Sequence, residues 1–273
     1  MALDWNTADP SEWGWSRTAL DRPCTIPRID RNFSIAEFEA EWRHQRPFIL
    51  GAPWVDGTHT WHAAAWTRQE VLGHERSAGA TVISGDPESN YVLVNRATTT
   101  IAGHVNASMP PRPSIARPRT EREARAQECR RHVGEGGRFV FTRDPETLQA
   151  TGLPVRTPAI LGQPASLPAN VLSLAANGSG FPFHLHPEAW LELIAGRKYW
   201  TLFSVESTGS PTGGFRHAAS HAAWLETQRP RLDVGDRDAQ ALNSGASGPG
   251  GMLECVQEPG ELVHVSWSEA VLA

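Results

Sequence analysis

The chain has 273 residues, of which 40% are apolar and 20% are charged, which is enough apolar material for one substantial core. A formal net charge of −5 argues against a cationic surface, so nucleic acid is not an expected partner. No run of about eighteen apolar residues occurs, so no membrane span is expected. The 25 basic residues are all arginine except one, Lys198.

The N-terminal half predicts an irregular arm followed by short helices and strands. Residues 1–23 show no helical or strand period. Ser34 and Glu37 form a capping box, which predicts a helix over about 34–45. Apolar runs and capping signals predict three further elements: a strand at 48–50, a helix near 67–75 and a strand at 81–84.

The remainder of the chain changes from a polar segment to recurring short apolar runs. Residues 103–137, rich in Pro, Arg and Glu, predict a solvated loop followed by a surface helix. From residue 138 onwards, Gly, Pro and Asn separate the apolar runs, which is typical of an antiparallel sandwich or barrel. An insertion at 207–251, with a predicted helix at 221–226, interrupts this pattern. The predicted strands are 139–141, 171–174, 181–186, 190–194, 199–205 and 261–265.

Two histidines and the single lysine are the residues best suited to chemistry. His184 and His186 are two positions apart, so on a strand they share one face and can bind the same metal ion. Alternation places Lys198 on one strand face with Trp200 and Leu202, which points inward in a barrel. An inward ammonium group needs an anion, so the sequence predicts an anion site beside the histidine pair.

Three segments together resemble the JmjC (cupin-like) family. They are His184-Leu-His186, the run from Trp190 to Phe203 that contains Gly196-Arg-Lys198, and Pro259 to Trp267. Within that family, Cys24-Thr-Ile, the helix after Ser34 and Leu253-Glu-Cys255 are most similar to the small JmjC domain-containing protein eight group.

The resemblance implies a mainly β fold, a double-stranded β-helix (jelly-roll barrel) with N-terminal and inserted helices. The arm over 1–23 would precede a single domain over 24–273. That domain would have an N-terminal helical and strand part over 24–137 and a barrel core over 138–273 that lacks the last strand.

The resemblance also implies cofactors, namely Fe(II) and 2-oxoglutarate. His184 matches the first metal ligand, His186 stands where active members have a carboxylate, and Glu269 stands where they have the distal histidine. Lys198 matches the residue that binds the far carboxylate of 2-oxoglutarate. Two alternatives for the distal ligand stay open: His264 and Glu192.

At positions 186 and 269 the chain departs from the ligand pattern of active JmjC members. These departures favour a degenerate site, and therefore a non-catalytic or weakly active module that binds a protein. The alternative is an active Fe(II)/2-oxoglutarate-dependent dioxygenase that hydroxylates or demethylates a protein. A metal-binding cupin enzyme that does not use 2-oxoglutarate is a third hypothesis, and it leaves Lys198 without a role.

The cysteines lead to an expectation about the compartment. The group that the chain resembles also has cysteine at the positions of Cys24 and Cys255, so the resemblance implies a disulfide between them. That group is expected in the lumen of the endoplasmic reticulum. The N-terminal residues as given lack the pattern of a secretory signal and by themselves indicate a cytoplasmic protein.

Overall fold

The computed structural model of the chain describes residues 23–31, 34–51, 79, 81–87, 93–108, 139–151, 171–175, 184–185, 188–194, 196–204, 229–230, 252–265 and 269–272. The description covers the backbone but not the side chains of residues 82–87, 93–97, 106–108, 139, 150, 184–185, 203–204 and 269–272.

The described residues are predominantly β. The helices are α1 (Ile35–Glu41), α2 (Ile101–Ser108) and α3 (Pro145–Ala150). The strands are β1 (Arg28–Ile29), β2 (Phe48–Leu50), β3 (Thr81–Pro87), β4 (Leu93–Thr100), β5 (Phe139–Thr142), β6 (Leu172–Ala175), β7 (His184–Leu185), β8 (Ala189–Glu192), β9 (Lys198–Ser204), β10 (Leu253–Gln257), β11 (Leu262–Val265) and β12 (Glu269–Leu272).

These strands form three sheets of four strands each. Sheet I has the order β1-β2-β11-β8, sheet II has the order β10-β9-β12-β7, and sheet III has the order β4-β3-β5-β6. All described pairings are antiparallel except β1 with β2, which is parallel. Along the chain from β7 to β12, consecutive strands cross between sheet II and sheet I, apart from β9 and β10, which are neighbours.

Sheets I and II pack face to face around an apolar core. Sheet I contributes Ile49, Val263 and Val265, and sheet II contributes Trp200 and Leu202. In β2 and β11 these residues alternate with side chains that lie on the opposite face, as the two-residue period of a strand requires. Each of the two sheets therefore has an inner face, toward the other sheet, and an outer face.

Helix α1 covers the outer face of sheet I. The Glu37 amide donates to Ser34 Oγ at 3.1 Å, as the capping box predicts, and Phe38 is fully buried against Phe48 and Trp190. The helix ends at Glu41 rather than near residue 45. The reason is local, because His44 has a φ of 57°, which an α-helix does not accept.

Sheet III and its helices differ in two respects from the sequence prediction. Residues 103–108 are helical, not part of a loop, because Ile101, His104 and Val105 recur at helical spacing and are buried. Helix α3 was not predicted, although Asp144 caps it by accepting from the Thr147 amide at 2.9 Å. Across the three sheets, four strands were not predicted: β1, β4, β10 and β12.

The described N-terminal segment is fastened to β10 covalently and by hydrogen bonds. Cys24 and Cys255 form the disulfide that the resemblance implies, with 4.3 Å between their Cα atoms. The Thr25 amide donates to the Glu254 carbonyl at 2.8 Å, and the Glu254 amide donates to Thr25 Oγ1 at 2.8 Å. β10 is thus the strand to which the start of the described chain is anchored.

A buried ion pair joins the outer face of β10 to residue 229. The Arg229 guanidinium donates to both carboxylate oxygens of Glu254, at 2.7 and 2.6 Å, and the Tyr199 hydroxyl donates to the same carboxylate at 2.5 Å. Such a bidentate pair with a third donor satisfies buried charge that would otherwise be costly.

Several predicted elements lie outside the described residues. They are the arm over 1–22, the helices near 67–75 and 221–226, and the surface helix after the Pro-rich segment. None of the helices in the described ranges is long and apolar enough to span a membrane.

Replacing both Cys24 and Cys255 by Ala is expected to lower the free energy of unfolding by about 2–5 kcal/mol, because the disulfide joins residues 231 positions apart and limits the unfolded ensemble. Urea denaturation of the variant and of the native protein measures the difference. Cys129→Ala is the matched control, since it leaves the disulfide intact. Alkylation of all three cysteines in unfolded, unreduced protein would contradict the disulfide.

Candidate anion and metal site

Lys198 begins β9 and lies on the inner face of sheet II with Trp200 and Leu202, as alternation predicts. Its Nζ is 4.2 Å from the centroid of the Trp200 ring, a cation–π contact. The side chain is half-buried, and burial lowers the pKa of the ammonium to about 7. Among the described side chains, no carboxylate forms an ion pair with Lys198. The group is therefore suited to bind an anion.

The Trp200 ring under Lys198 is itself held in place. Its Nε1 donates to Gln257 Oε1 at 2.8 Å. The Gln257 amide nitrogen donates to the carbonyls of Leu191, at 3.0 Å, and Glu261, at 2.8 Å. Gln257 thus connects β10 to the sheet I side of the core, and it pairs with Lys198 in the β9–β10 ladder.

The backbone register brings two candidate ligand positions to the face of Lys198. In sheet II, Val271 of β12 pairs with Leu202 on one side and with His184 on the other. Directly paired residues share a face, as do alternate residues of one strand. Positions 184 and 269 therefore lie on the same face of the sheet as Leu202 and Lys198.

The third candidate ligand, His186, lies outside the described residues. Among the side chains that the structure describes, which do not include those of His184 and Glu269, no group of three or more His, Cys, Asp or Glu could hold a metal ion.

His264, one alternative ligand, lies on the other face of sheet I. Its ring is completely buried among aromatic rings, with centroid distances of 4.3 Å to Trp190, 4.9 Å to Phe48 and 5.4 Å to Phe38. Its Nε2 lies 3.4 Å from Glu188 Oε1. Burial, together with the nearby charge of His44 and Arg43, lowers the pKa of His264 to about 3. The imidazole is a neutral core group between α1 and the sheet.

Glu192, the other alternative, shares that face. It alternates in β8 with Leu191, which packs against the inner core, and so lies on the same side as Trp190. The structure therefore does not bring His264 or Glu192 together with Lys198. Of the three residues considered for the distal ligand, Glu269 is the one whose position lies on the face of Lys198.

Gln257 was not among the residues that the sequence predicted for this site. Its side chain reaches partners in β9, β8 and residue 261, and such separations leave no local signal. Alternation with Cys255 along β10 is the one pattern that would have placed it on the inner face.

No family model matches the chain. The chain is 30% identical to JmjC domain-containing protein 8 of Homo sapiens over 118 residues, which are 42% of this chain and 38% of that protein. It is 32% identical over 107 residues to the proteins of the same name from Mus musculus and Rattus norvegicus, 38% of this chain and 33% of each relative. The chain is related to the JmjC family. The matched segments span about a third of the length of these curated relatives.

Proteins of the JmjC family are generally dependent on Fe(II) and 2-oxoglutarate, a divalent cation and a dicarboxylate.

The pKa of Lys198 is directly measurable, because the chain contains no other lysine. Protein labelled with ¹³C-lysine is expected to show one side-chain signal that titrates near pH 7, compared with about 10.4 for the same residue in urea-unfolded protein. Between these two pKa values the unfolded chain binds more protons, so the stability of the ligand-free protein rises with pH. A folded-state midpoint above pH 10 would contradict the burial of this ammonium.

The dependence of the free energy of unfolding on pH in the acid range tests the environment of His264. Its pKa is about 3 in the folded protein and 6.5 in the reference state, so its contribution to stability is lost as pH falls from 6.5 toward 3. In this range the free energy of unfolding is expected to fall by up to about 1.4 kcal/mol per pH unit because of His264, and His264→Phe is expected to remove that contribution. Urea denaturation from pH 4 to pH 7 measures it. His44→Asn is the comparison variant, since Asn tolerates the positive φ at this position. It removes one nearby charge but not the burial that is the main cause of the shift, so it should change the acid dependence less than His264→Phe does. Equal acid dependence in the native protein and the His264 variant would contradict the interpretation.

Proposed function

We propose that the chain is an Fe(II)/2-oxoglutarate-dependent oxygenase with a JmjC fold that acts on a protein substrate. One observation carries the proposal. The ammonium of Lys198, which has no carboxylate partner among the described side chains, shares the inner face of sheet II with positions 184 and 269. An anion and a metal ion bound at these positions would lie in one pocket between the two sheets.

The proposed fold is the double-stranded β-helix, as a single domain over 24–273. The crossing of β7 to β12 between two facing antiparallel sheets supports it, since a jelly roll distributes consecutive strands in this way. In this assignment the N-terminal part over 24–137 contributes β1 and β2 to sheet I, and the insertion at 207–251 separates β9 from β10.

The proposed metal ligands are His184, His186 and Glu269. Two imidazoles and one carboxylate are the donor types of a facial Fe(II) site. The pairing of Leu185 with Ala270 supports the set, because His186 and Glu269 are the next residues beyond that pair. The ligand order differs from that of active JmjC members, with imidazole and carboxylate exchanged, and the donor types and total charge are the same.

Lys198 would bind the far carboxylate of 2-oxoglutarate. A half-buried ammonium gives a stronger charge-assisted bond than an exposed one, and a bound carboxylate would raise the pKa of Lys198 again. The Trp200 ring gives this end of the pocket an apolar wall that limits access of water. Fe(II) and 2-oxoglutarate, when bound, supply the oxidative chemistry, and the chain holds and orients them.

The second candidate function is a JmjC-fold module that binds a protein without turnover. The exchange of histidine and carboxylate at positions 186 and 269 favours it, because it alters the arrangement that active members use. Both candidates require the same pocket, so they differ in one measurable property, the consumption of 2-oxoglutarate.

We also propose that the protein resides in an oxidising compartment such as the lumen of the endoplasmic reticulum. The Cys24–Cys255 disulfide supports this location over the cytoplasm, where glutathione and thioredoxin keep such pairs reduced.

Titration of the purified protein under nitrogen tests the pocket. Mn(II), followed by 2-oxoglutarate, is expected to bind, and Lys198→Ala is expected to weaken 2-oxoglutarate by about ten- to a hundredfold while metal affinity is unchanged. Isothermal calorimetry measures both. Arg197→Ala is the matched control, because Arg197 is the exposed neighbour of Lys198 and pairs with Glu258 instead.

Glu269→Ala and His184→Ala are expected to abolish Mn(II) binding in the same titration. Metal binding that survives both substitutions would reject the ligand set. Metal and 2-oxoglutarate binding without oxygen-dependent consumption of 2-oxoglutarate would favour the module without turnover.

The affinity for 2-oxoglutarate is also expected to depend on pH. Only protonated Lys198 attracts a carboxylate, so affinity should fall above pH 7, by at most about tenfold per pH unit. Calorimetry from pH 6 to pH 9 measures the trend. A flat profile would show that the bound anion does not contact Lys198.

A further inference from the structure

Gln257 is a completely buried amide whose hydrogen-bonding groups are engaged on both sides of the core. Its Oε1 accepts from the Trp200 indole at 2.8 Å. Its Nε2 donates to Leu191 O at 3.0 Å and to Glu261 O at 2.8 Å. A buried amide with both donors and its acceptor satisfied is rigid, because any rotation leaves polar atoms without partners.

This amide holds one side chain that matters for the pocket, the indole of Trp200. Leu191 belongs to β8 of sheet I, and residue 261 directly precedes β11 of the same sheet. Trp200 belongs to β9 of sheet II. Gln257 therefore fixes the plane of the indole relative to both sheets rather than to its own strand alone.

The indole in turn supports Lys198. The ammonium lies 4.2 Å from the ring centroid, and Lys198 is the direct ladder partner of Gln257. A lysine side chain has four rotatable bonds and carries a point charge, so its charge is placed by whatever its stem and head contact. Here that contact is the ring held by Gln257.

We propose that Gln257 is a positioning residue for anion binding, which acts through Trp200 to hold the ammonium of Lys198 at one place in the pocket. The identity of the anion as 2-oxoglutarate rests on the proposed function. The contact between the Trp200 indole and the Lys198 ammonium does not rest on the proposed function.

Glutamine suits position 257 because its side chain can make all three hydrogen bonds, one as acceptor and two as donor. Glutamate could accept from the indole, but its carboxylate would face two carbonyl oxygens without a proton to donate. Leucine or methionine would fill the space and leave the indole N–H and both carbonyls without their partner.

The single lysine makes the test direct. In metal-free and ligand-free protein labelled with ¹³C-lysine, the Trp200 ring current displaces the Lys198 Hε signal from its position in the unfolded chain. Trp200→Leu is expected to abolish this displacement, and Gln257→Met to reduce it by about half or more, because the unlocked ring samples other orientations. Trp200→Phe, which keeps an aromatic ring but cannot donate to Gln257, is expected to behave like Gln257→Met.

Glu254→Gln is the matched control. Glu254 lies on the outer face of the same strand, and the substitution disrupts its buried ion pair with Arg229 without touching Trp200. It should lower thermal stability and leave the Lys198 signal in place. If Gln257→Met does not fold, the Lys198 signal of Trp200→Phe tests the proposal instead. An unchanged Lys198 signal in the folded Gln257 or Trp200→Phe variant would overturn the proposal.

The second arm measures binding of 2-oxoglutarate by calorimetry. Gln257→Met is expected to weaken it about three- to tenfold, with Mn(II) affinity unchanged, and Glu254→Gln to leave it unaltered. An unchanged affinity in Gln257→Met, measured beside native protein that binds, would overturn the positioning role. Native protein that shows the ring-current displacement and its loss in Gln257→Met, yet binds no 2-oxoglutarate, would reject the proposed function and retain the contact.

Discussion

The packing of Ile49 and Val263 of sheet I against Trp200 and Leu202 of sheet II determines which face of each strand in these two sheets points inward. Burial of these side chains excludes water from the space between the sheets, and the two-residue period of the strands then assigns every other residue to one face or the other. Lys198 reaches the inner face by this rule, and His264 reaches the outer one. The chemistry available between the sheets is therefore a consequence of where the apolar residues of β9 and β11 lie.

β10 shows how one strand serves two environments. Its inner face carries Cys255 and Gln257, which bind the N-terminal segment and the Trp200 indole. Its outer face carries Glu254, whose charge is balanced by Arg229 and by the Tyr199 hydroxyl. In both cases a polar group is buried because it has well-placed partners, since an unpaired one would cost several kcal/mol. These polar contacts specify the position of β10 more narrowly than apolar packing would.

Local sequence signals predicted several of the elements whose cause is local. The Ser34 cap set the start of α1, and apolar runs located β2, β6, β9 and β11 to within a residue or two. Elements that depend on distant partners escaped prediction. β12 is a strand because β7 and β9 flank it. Helix α2 was missed for a local reason, because the composition of the segment suggested a loop although its buried residues recur at helical spacing. The end of α1 was also missed, since it follows from the backbone conformation at His44.

By itself, the sequence determined the β-rich class, the inward face of Lys198 and, through its resemblance to the JmjC family, the pairing of Cys24 with Cys255. These properties follow from alternation and from short motifs, which are contained in a few consecutive residues. The tertiary structure alone decided that position 269 shares a face with Lys198 and that His264 and Glu192 do not. It also decided that Gln257 holds Trp200. Register between strands and contacts between side chains on different strands depend on residues far apart in the chain, so no local pattern encodes them.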